Sequence, residues 1–235
     1  MNWLVQRPIA HRGLHTGQTI PENSYLSFKK AIDKNYTIEL DVRMTKDKKI
    51  VVFHDKNLLR VCSNKRKIDS YNYKELNDKF LYNTNETIPL LSDVLELIDA
   101  KVPVLVEIKN YGKVGEFETI LSRILEDYRG EFAVCSFNIH VISWFKKYRP
   151  NFVRGFIYGD LHKFQIKFSK LTFLYRLIKT RPDFVSLDYK LLDTLLPKFC
   201  RWYGKKFVCW TVDSKDKMQK ASNIADNVIF ENISA

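Results

Sequence analysis

Apolar and polar positions follow two different periods along the chain. Short runs that alternate or stay apolar over four to seven residues read as strands at 8–11, 37–43, 103–108, 132–136, 153–158, 184–188, 207–212 and 227–231. A further short run lies at 50–54. Between them the apolar positions recur at helical spacing over 23–35, 89–99, 115–129, 139–148, 190–203 and 214–223. The stretch 160–181 fits a connection that contains one more helix. Asn23, Ser92 and Ser214 stand where helices open and read as caps.

Eight strands with helices between them, in 235 residues, predict an α/β fold. The expected architecture is a single-domain (β/α)8 TIM barrel of parallel strands, with a small hairpin-like insertion after the second strand. An open doubly wound sheet is the rival. It wants a glycine-rich phosphate loop after the first strand, and "HRGLHTGQ", with Gly13 and Gly17, matches neither such fingerprint.

The barrel gives meaning to the stretch "IELDVRMTKDKKIVVFHD" at 38–55. Residues two apart on a strand share a face, so Glu39 and Asp41 project side by side near the end of the second strand. Glu107 and Lys109 do the same at the end of "VEIK", His11 and Arg12 close the first strand, and His54 follows the short extra run. Chemistry in this architecture sits at the C-terminal strand ends. Three carboxylates gathered there repel one another unless a cation or a shared proton compensates. Oxygen-only ligation suits a hard divalent cation, Mg2+ or Ca2+, whereas zinc wants more nitrogen or sulfur. The basic groups suit an anionic substrate and the histidines suit proton transfer near neutral pH. Together they describe metal-assisted phosphoryl transfer or hydrolysis. His15, His140 and His162 lack such company and read as ordinary residues.

Composition narrows the setting. The 45% hydrophobic and 28% charged content is that of a globular protein, and no apolar run approaches the roughly 18 residues of a membrane span. The start lacks the features of a secretory signal, which points to the cytoplasm. Cys62, Cys135, Cys200 and Cys209 are scattered without metal-finger spacing and read as free thiols. The net charge of +12 is spread along the chain, with short clusters at 46–49, 65–67 and 205–206. No RNA-binding signature accompanies it, so a solvated basic surface is expected rather than a nucleic-acid interface.

The segments "AHRG" (10–13), "PENS" (21–24), "IELDVRMTKD" (38–47), "VVFHD" (51–55), "VEIK" (106–109), "SFN" (136–138) and "WTVD" (210–213) occur in that order over almost the whole chain. In this combination the sequence resembles the glycerophosphodiester phosphodiesterases. The resemblance implies a (β/α)8 barrel that cleaves glycerophosphodiesters to glycerol 3-phosphate and an alcohol. It also implies roles at the matching positions. Glu39, Asp41 and Glu107 are the implied metal ligands, and His11 and His54 the general acid/base pair. Arg12 and Lys109 are implied to bind the phosphate, and Phe137 and Trp210 to line the glycerol pocket. Glu22 and Asn23 are implied supporting residues, Glu22 as the partner that orients Arg12. The last strand, "NVIFENIS", departs from the T-D-x-P run that often ends this family's barrel, though no implied ligand is lost. Segment 162–181 carries six Lys/Arg and no acid among aromatic and aliphatic residues. It reads as a barrel helix with solvated lysines, with contact to a membrane surface as its other reading. Two alternatives to the soluble diesterase remain: a lysophospholipase D-like enzyme, and a catalytically silent barrel that binds phosphodiesters or nucleic acid.

Overall fold

A computed structural model of the chain describes residues 2–161 and 169–233. The elements run β1 (Ile9–Ala10), α1 (Tyr25–Asp33), β2 (Thr37–Met44), β3 (Ile50–Val52), α2 (Leu59–Cys62), α3 (Leu91–Ile98), β4 (Val104–Ile108), α4 (Glu116–Glu126) and β5 (Phe132–Ser136). They continue with α5 (Ile139–Tyr148), β6 (Arg154–Tyr158), α6 (Ser169–Thr180), β7 (Phe184–Asp188), α7 (Leu196–Trp202), β8 (Lys206–Val212), α8 (Lys215–Ile224) and β9 (Asn227–Phe230). All strands but β3 pair in parallel, in the order β1-β9-β8-β7-β6-β5-β4-β2, and β1 also pairs with β2. The sheet therefore closes on itself, as expected of the barrel and unlike the open rival, and leaves no edge among the eight. β3 lies antiparallel on the C-terminal half of β2, Val42 opposite Val52, which is the expected hairpin.

Strand alternation divides the apolar residues into two layers. Leu105, Ala133, Ile157, Phe184, Val208 and Ile229 fill the barrel, with Trp3 and Leu4 closing its lower end. Ile38, Leu40, Val42, Val104 and Val106 face outward against helix residues such as Phe28, Val94, Leu121 and Phe145. Inside, Phe184 occupies the space that Gly155 leaves: a Cβ there would sit 2.5 Å from its ring. The filled interior forces the chemistry to the mouth, where strands end and side chains meet a cleft.

Two of the three helix caps read in the sequence differ in the structure. Only Ser214 caps as expected, accepting from the Lys217 N–H. α1 is capped by Ser24 rather than Asn23, through a reciprocal box with Ser27. α3 begins at Leu91, so Ser92 lies inside it. The region between β3 and α3 holds α2 and short 3-10 turns, none of which the periodicity announced. They wrap a separate apolar cluster of Phe53, Leu58, Val61, Ile68, Tyr71, Leu76, Leu81 and Ile88. The segment expected at 190–203 becomes a 3-10 turn followed by the shorter α7.

Of segment 162–181, residues 162–168, including His162, lie outside the described residues. The rest is α6, whose Phe173 and Leu177 pack inward while Leu171, Tyr175 and Ile178 face solvent. All four cysteines are free; Cys135, Cys200 and Cys209 are buried, and burial pushes the thiols of Cys200 and Cys209 up to about 12. Among the described residues no helix is long and apolar enough to cross a membrane.

Candidate active site

Pairing register builds the centre of the site. Asp41 of β2 lies directly beside Glu107 of β4, and Glu39 lies one inward step below Asp41. The carboxylates of Glu39, Asp41 and Glu107 are buried and offer oxygens within 4.8 Å of one another. Opposing ligands on Mg2+ or Ca2+ are about 4–5 Å apart, so the spacing and the all-oxygen donor set fit a hard cation. Two of these oxygens, Asp41 Oδ1 and Glu107 Oε1, accept no well-formed hydrogen bond in spite of their burial. Instead the Lys109 ammonium lies 3.2 Å from the first and 2.5 Å from the second. The Lys109 ammonium thus compensates part of the charge of Asp41 and Glu107.

Neighbouring charges divide the three acids. Burial alone would raise Asp41, but the charges of Lys109 and Arg12 hold its carboxyl well below the usual carboxylate range. Burial also dominates at Glu39, and the charges of Asp41 and Glu107 add to it, so its carboxyl stands well above the ordinary value. Glu107 is raised too, mainly by burial, with Lys109 opposing. At Lys109 burial is outweighed by Asp41 and Glu107, which keep the ammonium charged.

The β1–α1 turn supplies the next layer. Arg12 and Gly13 both take left-handed backbone (φ 54° and 77°), and a Cβ on Gly13 would meet Ser27 Oγ at 2.4 Å. The turn directs the Arg12 N–H to Glu39 (2.9 Å) and its guanidinium to Asp41 (3.3 Å) and Glu22 (2.9 Å). Asn23, also left-handed, donates its amide to Asp41 Oδ2 at 2.9 Å while its carbonyl oxygen accepts the Asp41 N–H at 3.3 Å.

Both histidines stand on the rim with a carboxylate behind them. His11 Nδ1 donates to Glu231 at 2.6 Å, which turns Nε2 toward Glu39, 4.0 Å away. Burial sets the His11 imidazole below its ordinary value, although the hydrogen bond to Glu231 opposes this. His54 Nδ1 donates to Asp55 at 2.6 Å. Arg60 grips Asp55 (2.8 Å) and also Glu22 (2.7 Å), so one guanidinium connects the carboxylate behind His54 with the partner of Arg12. Burial would raise Asp55, yet the hydrogen bonds from His54 and Arg60 keep it ionised. A cleft of about 260 Å³ opens between these groups and an aromatic wall. In that wall Phe137 meets Trp210 edge to face at 5.5 Å.

The structure brings together every site residue singled out in the sequence, and it adds four. Asp55 sits within a quoted motif, adjacent to His54. Arg60 comes from the insertion that showed no periodicity. Glu231 directly follows β9, the strand that departs from the T-D-x-P run. His15, read as an ordinary residue, is buried beside Glu231, its Nε2 3.6 Å from the carboxylate. By contrast, His140 is exposed.

The site is thus a cleft at the mouth of a closed parallel barrel, with a buried carboxylate triad and two carboxylate-backed imidazoles. The family model described as the glycerophosphoryl diester phosphodiesterase family matches residues 11–233. The chain belongs to the glycerophosphoryl diester phosphodiesterase family. It is 29% identical over 229 residues to a glycerophosphodiester phosphodiesterase of Caldanaerobacter subterraneus, covering 90% of this chain and 88% of the relative. A protein of the same name from Bacillus altitudinis is 30% identical over 154 residues, 60% of this chain and 62% of that one. Among solved structures, a phosphodiesterase of Oleispira antarctica in complex with its product sn-glycerol-3-phosphate superposes with a TM-score of 0.83. It shares 22% identity over 97% of this chain and 93% of its own. The Thermotoga maritima glycerophosphodiester phosphodiesterase gives a TM-score of 0.77 at 24% identity, over 96% and 94%.

Proposed function

We propose that this chain hydrolyses glycerophosphodiesters to glycerol 3-phosphate and an alcohol with the help of Mg2+ or Ca2+. The observation that carries the reading is the juxtaposition of the buried triad Glu39, Asp41 and Glu107 with two imidazoles, each tied at Nδ1 to its own carboxylate. The family match supports the substrate class, and so does the product bound to the Oleispira antarctica relative. When bound at the triad, the cation supplies charge neutralisation at phosphate oxygens. Arg12, oriented by Glu22, and the Lys109 ammonium bind the remaining phosphate charge. With their Nδ1 protons committed to Glu231 and Asp55, His11 and His54 exchange protons through Nε2. One takes a proton from the nucleophile, either water or the glycerol 2-hydroxyl, and the other gives one to the departing alkoxide. Phe137 and Trp210 cover the carbon face of the glycerol.

Turnover of glycerophosphocholine, read as glycerol 3-phosphate with and without EDTA, tests the reading. His11→Ala and His54→Ala are each expected to lose roughly 10²–10⁴ in kcat, the usual range for a positioned acid or base. A p-nitrophenyl ester, with its good leaving group, is expected to rescue only the variant that lacks the general acid. Activity that persists in EDTA, or equal rescue of both variants, overturns the corresponding part.

A second reading, action on lysophospholipids at a membrane surface, draws on α6. Its exposed Leu171, Tyr175 and Ile178 are accompanied by basic residues, and Arg176 donates to the carbonyls of Phe137 and Ile157 in the cleft wall. Lysophospholipid turnover together with sedimentation on anionic vesicles separates the two. Generic attraction fades at physiological salt, whereas apolar insertion persists.

A further inference from the structure

Behind His11, away from the cleft, lies a donor set of different chemistry. The tight β1–α1 turn, in which the His15 N–H donates to the Gly13 carbonyl (3.0 Å), folds His15 back beside His11. Barrel closure then brings Glu231 from the far end of the chain between the two rings. One ligand atom each of His11, His15 and Glu231 lies within 4.8 Å of the others, and His11 Nδ1 and His15 Nε2 stand 2.6 and 3.6 Å from the same Glu231 oxygen. His15 is buried, and its Nε2 has no hydrogen-bond partner although it faces Glu231.

We propose that His11, His15 and Glu231 form a second cation site, selective for a borderline ion such as Zn2+, whose occupation switches the enzyme off through His11. The proposal rests on the reading of His11 as one of the acid/base pair. Two imidazoles and one carboxylate are a zinc donor set, while Mg2+ and Ca2+ prefer the oxygens of the neighbouring triad. Tetrahedral bonds of about 2.0–2.2 Å place ligand atoms roughly 3.3–3.5 Å apart. The His15–Glu231 separation of 3.6 Å already meets this. The His11–Glu231 pair, at 2.6 Å, has to open by less than about 1 Å to meet the same bond lengths.

Proton positions balance without a co-reactant. His11 moves its proton from Nδ1 to Nε2, and His15 moves its own from Nε2 to Nδ1, giving up the 3.4 Å contact from the Gly17 N–H. Both nitrogens then present lone pairs to the ion, and Glu231 is already a carboxylate. His11 Nε2, the nitrogen facing the triad, is left permanently protonated and no longer exchanges a proton with substrate. His11 lines the cleft, but His15 and Glu231 do not. An ion at Nδ1 therefore leaves the substrate cleft open, and inhibition falls on kcat rather than KM.

The test titrates Zn2+ into the full chain at saturating Mg2+, each protein being compared with its own zinc-free rate. Wild type is expected to lose kcat at constant KM. His15→Gln is expected to need at least about tenfold more zinc for half-inhibition, the scale of losing one ligand-sphere contact. A readout independent of turnover is calorimetric Zn2+ binding. Asp41→Asn, with its triad impaired, still takes up one equivalent, and adding His15→Gln abolishes that uptake. His15→Asn replaces His15→Gln if the latter does not melt cooperatively. Equal zinc sensitivity of wild type and the His15 variants overturns the proposal, as does loss of zinc binding in Asp41→Asn alone, which places zinc in the triad. Absence of any diesterase activity sinks the functional reading, while calorimetry still decides the site.

Discussion

At the scale of single residues, the three acids of the triad are chemically alike and physically different. Asp41 is ionised because Lys109, Arg12 and the Asn23 amide converge on it, whereas Glu39 faces two acids with only the Arg12 N–H and guanidinium to compensate. Substitutions are therefore expected to act in opposite directions on the metal-free protein. Asp41→Asn leaves two buried cations short of a partner and is expected to lower stability by about 3 kcal/mol, roughly 6–12 °C in Tm. Since its folded pKa lies below the unfolded value, this contribution is present above about pH 4 and fades as pH falls further. Glu39→Gln removes a group whose folded pKa is raised, so its ionisation weakens the fold as pH rises from about 4.3. That variant is expected to melt a few degrees higher than wild type near pH 7.5 in EDTA and level with it near pH 4. Melting curves at the two pH values check both signs. Equal shifts for the two variants contradict the division of charge.

At the scale of elements, the β1–α1 connection is where local sequence and site meet. Ser24 accepts from the Ser27 N–H, Ser27 Oγ accepts from the Ser24 N–H, and the Ser24 hydroxyl donates to the Pro21 carbonyl at 2.6 Å. This box starts α1 immediately after Glu22 and Asn23, and so fixes the two residues that hold Arg12 and Asp41. Ser24→Ala is expected to lower stability by about 1 kcal/mol, or roughly 2–4 °C. It is also expected to raise KM for the phosphodiester more than it lowers kcat, because Arg12 loses its orientation while the histidines keep theirs. A kcat loss with KM unchanged contradicts that route. The helical spacing over 23–35 and a polar residue at its start made a helix legible in the sequence. The expected cap, Asn23, was the wrong one, because Asn23 is drawn away by Asp41, 18 positions on, and Ser24 caps instead. The insertion with Arg60 was illegible for a related reason: its residues pack into a satellite cluster with neither a 2-residue nor a 3.6-residue period.

For the whole molecule, a cation held by the triad is expected to stabilise the fold by mass action, because the three carboxylates come together only in the folded chain. At a hundred times its Kd, Mg2+ or Ca2+ is expected to add about 2.7 kcal/mol, which for a chain of this size is roughly 5–11 °C in Tm. Glu39→Gln and Asp41→Asn are expected to lose most of that increment, and melts with and without EDTA measure it. Much of this molecule followed from sequence alone. Alternation decided which strand residues face inward, because successive side chains must point to opposite faces. Inward-facing Glu39, Asp41 and Glu107 at strand ends were therefore readable one segment at a time. Pairing across the closed sheet was beyond that reach. Glu231 meets His11 over 220 positions of chain, and only the register of β9 against β1 decides that they touch. The same closure turned His15 from an ordinary histidine into a donor beside that pair, and the packing of the insertion brought Arg60 to Asp55 and Glu22. Local periodicity fixes the direction of a side chain, but its charge state and partners depend on neighbours that only the folded chain supplies.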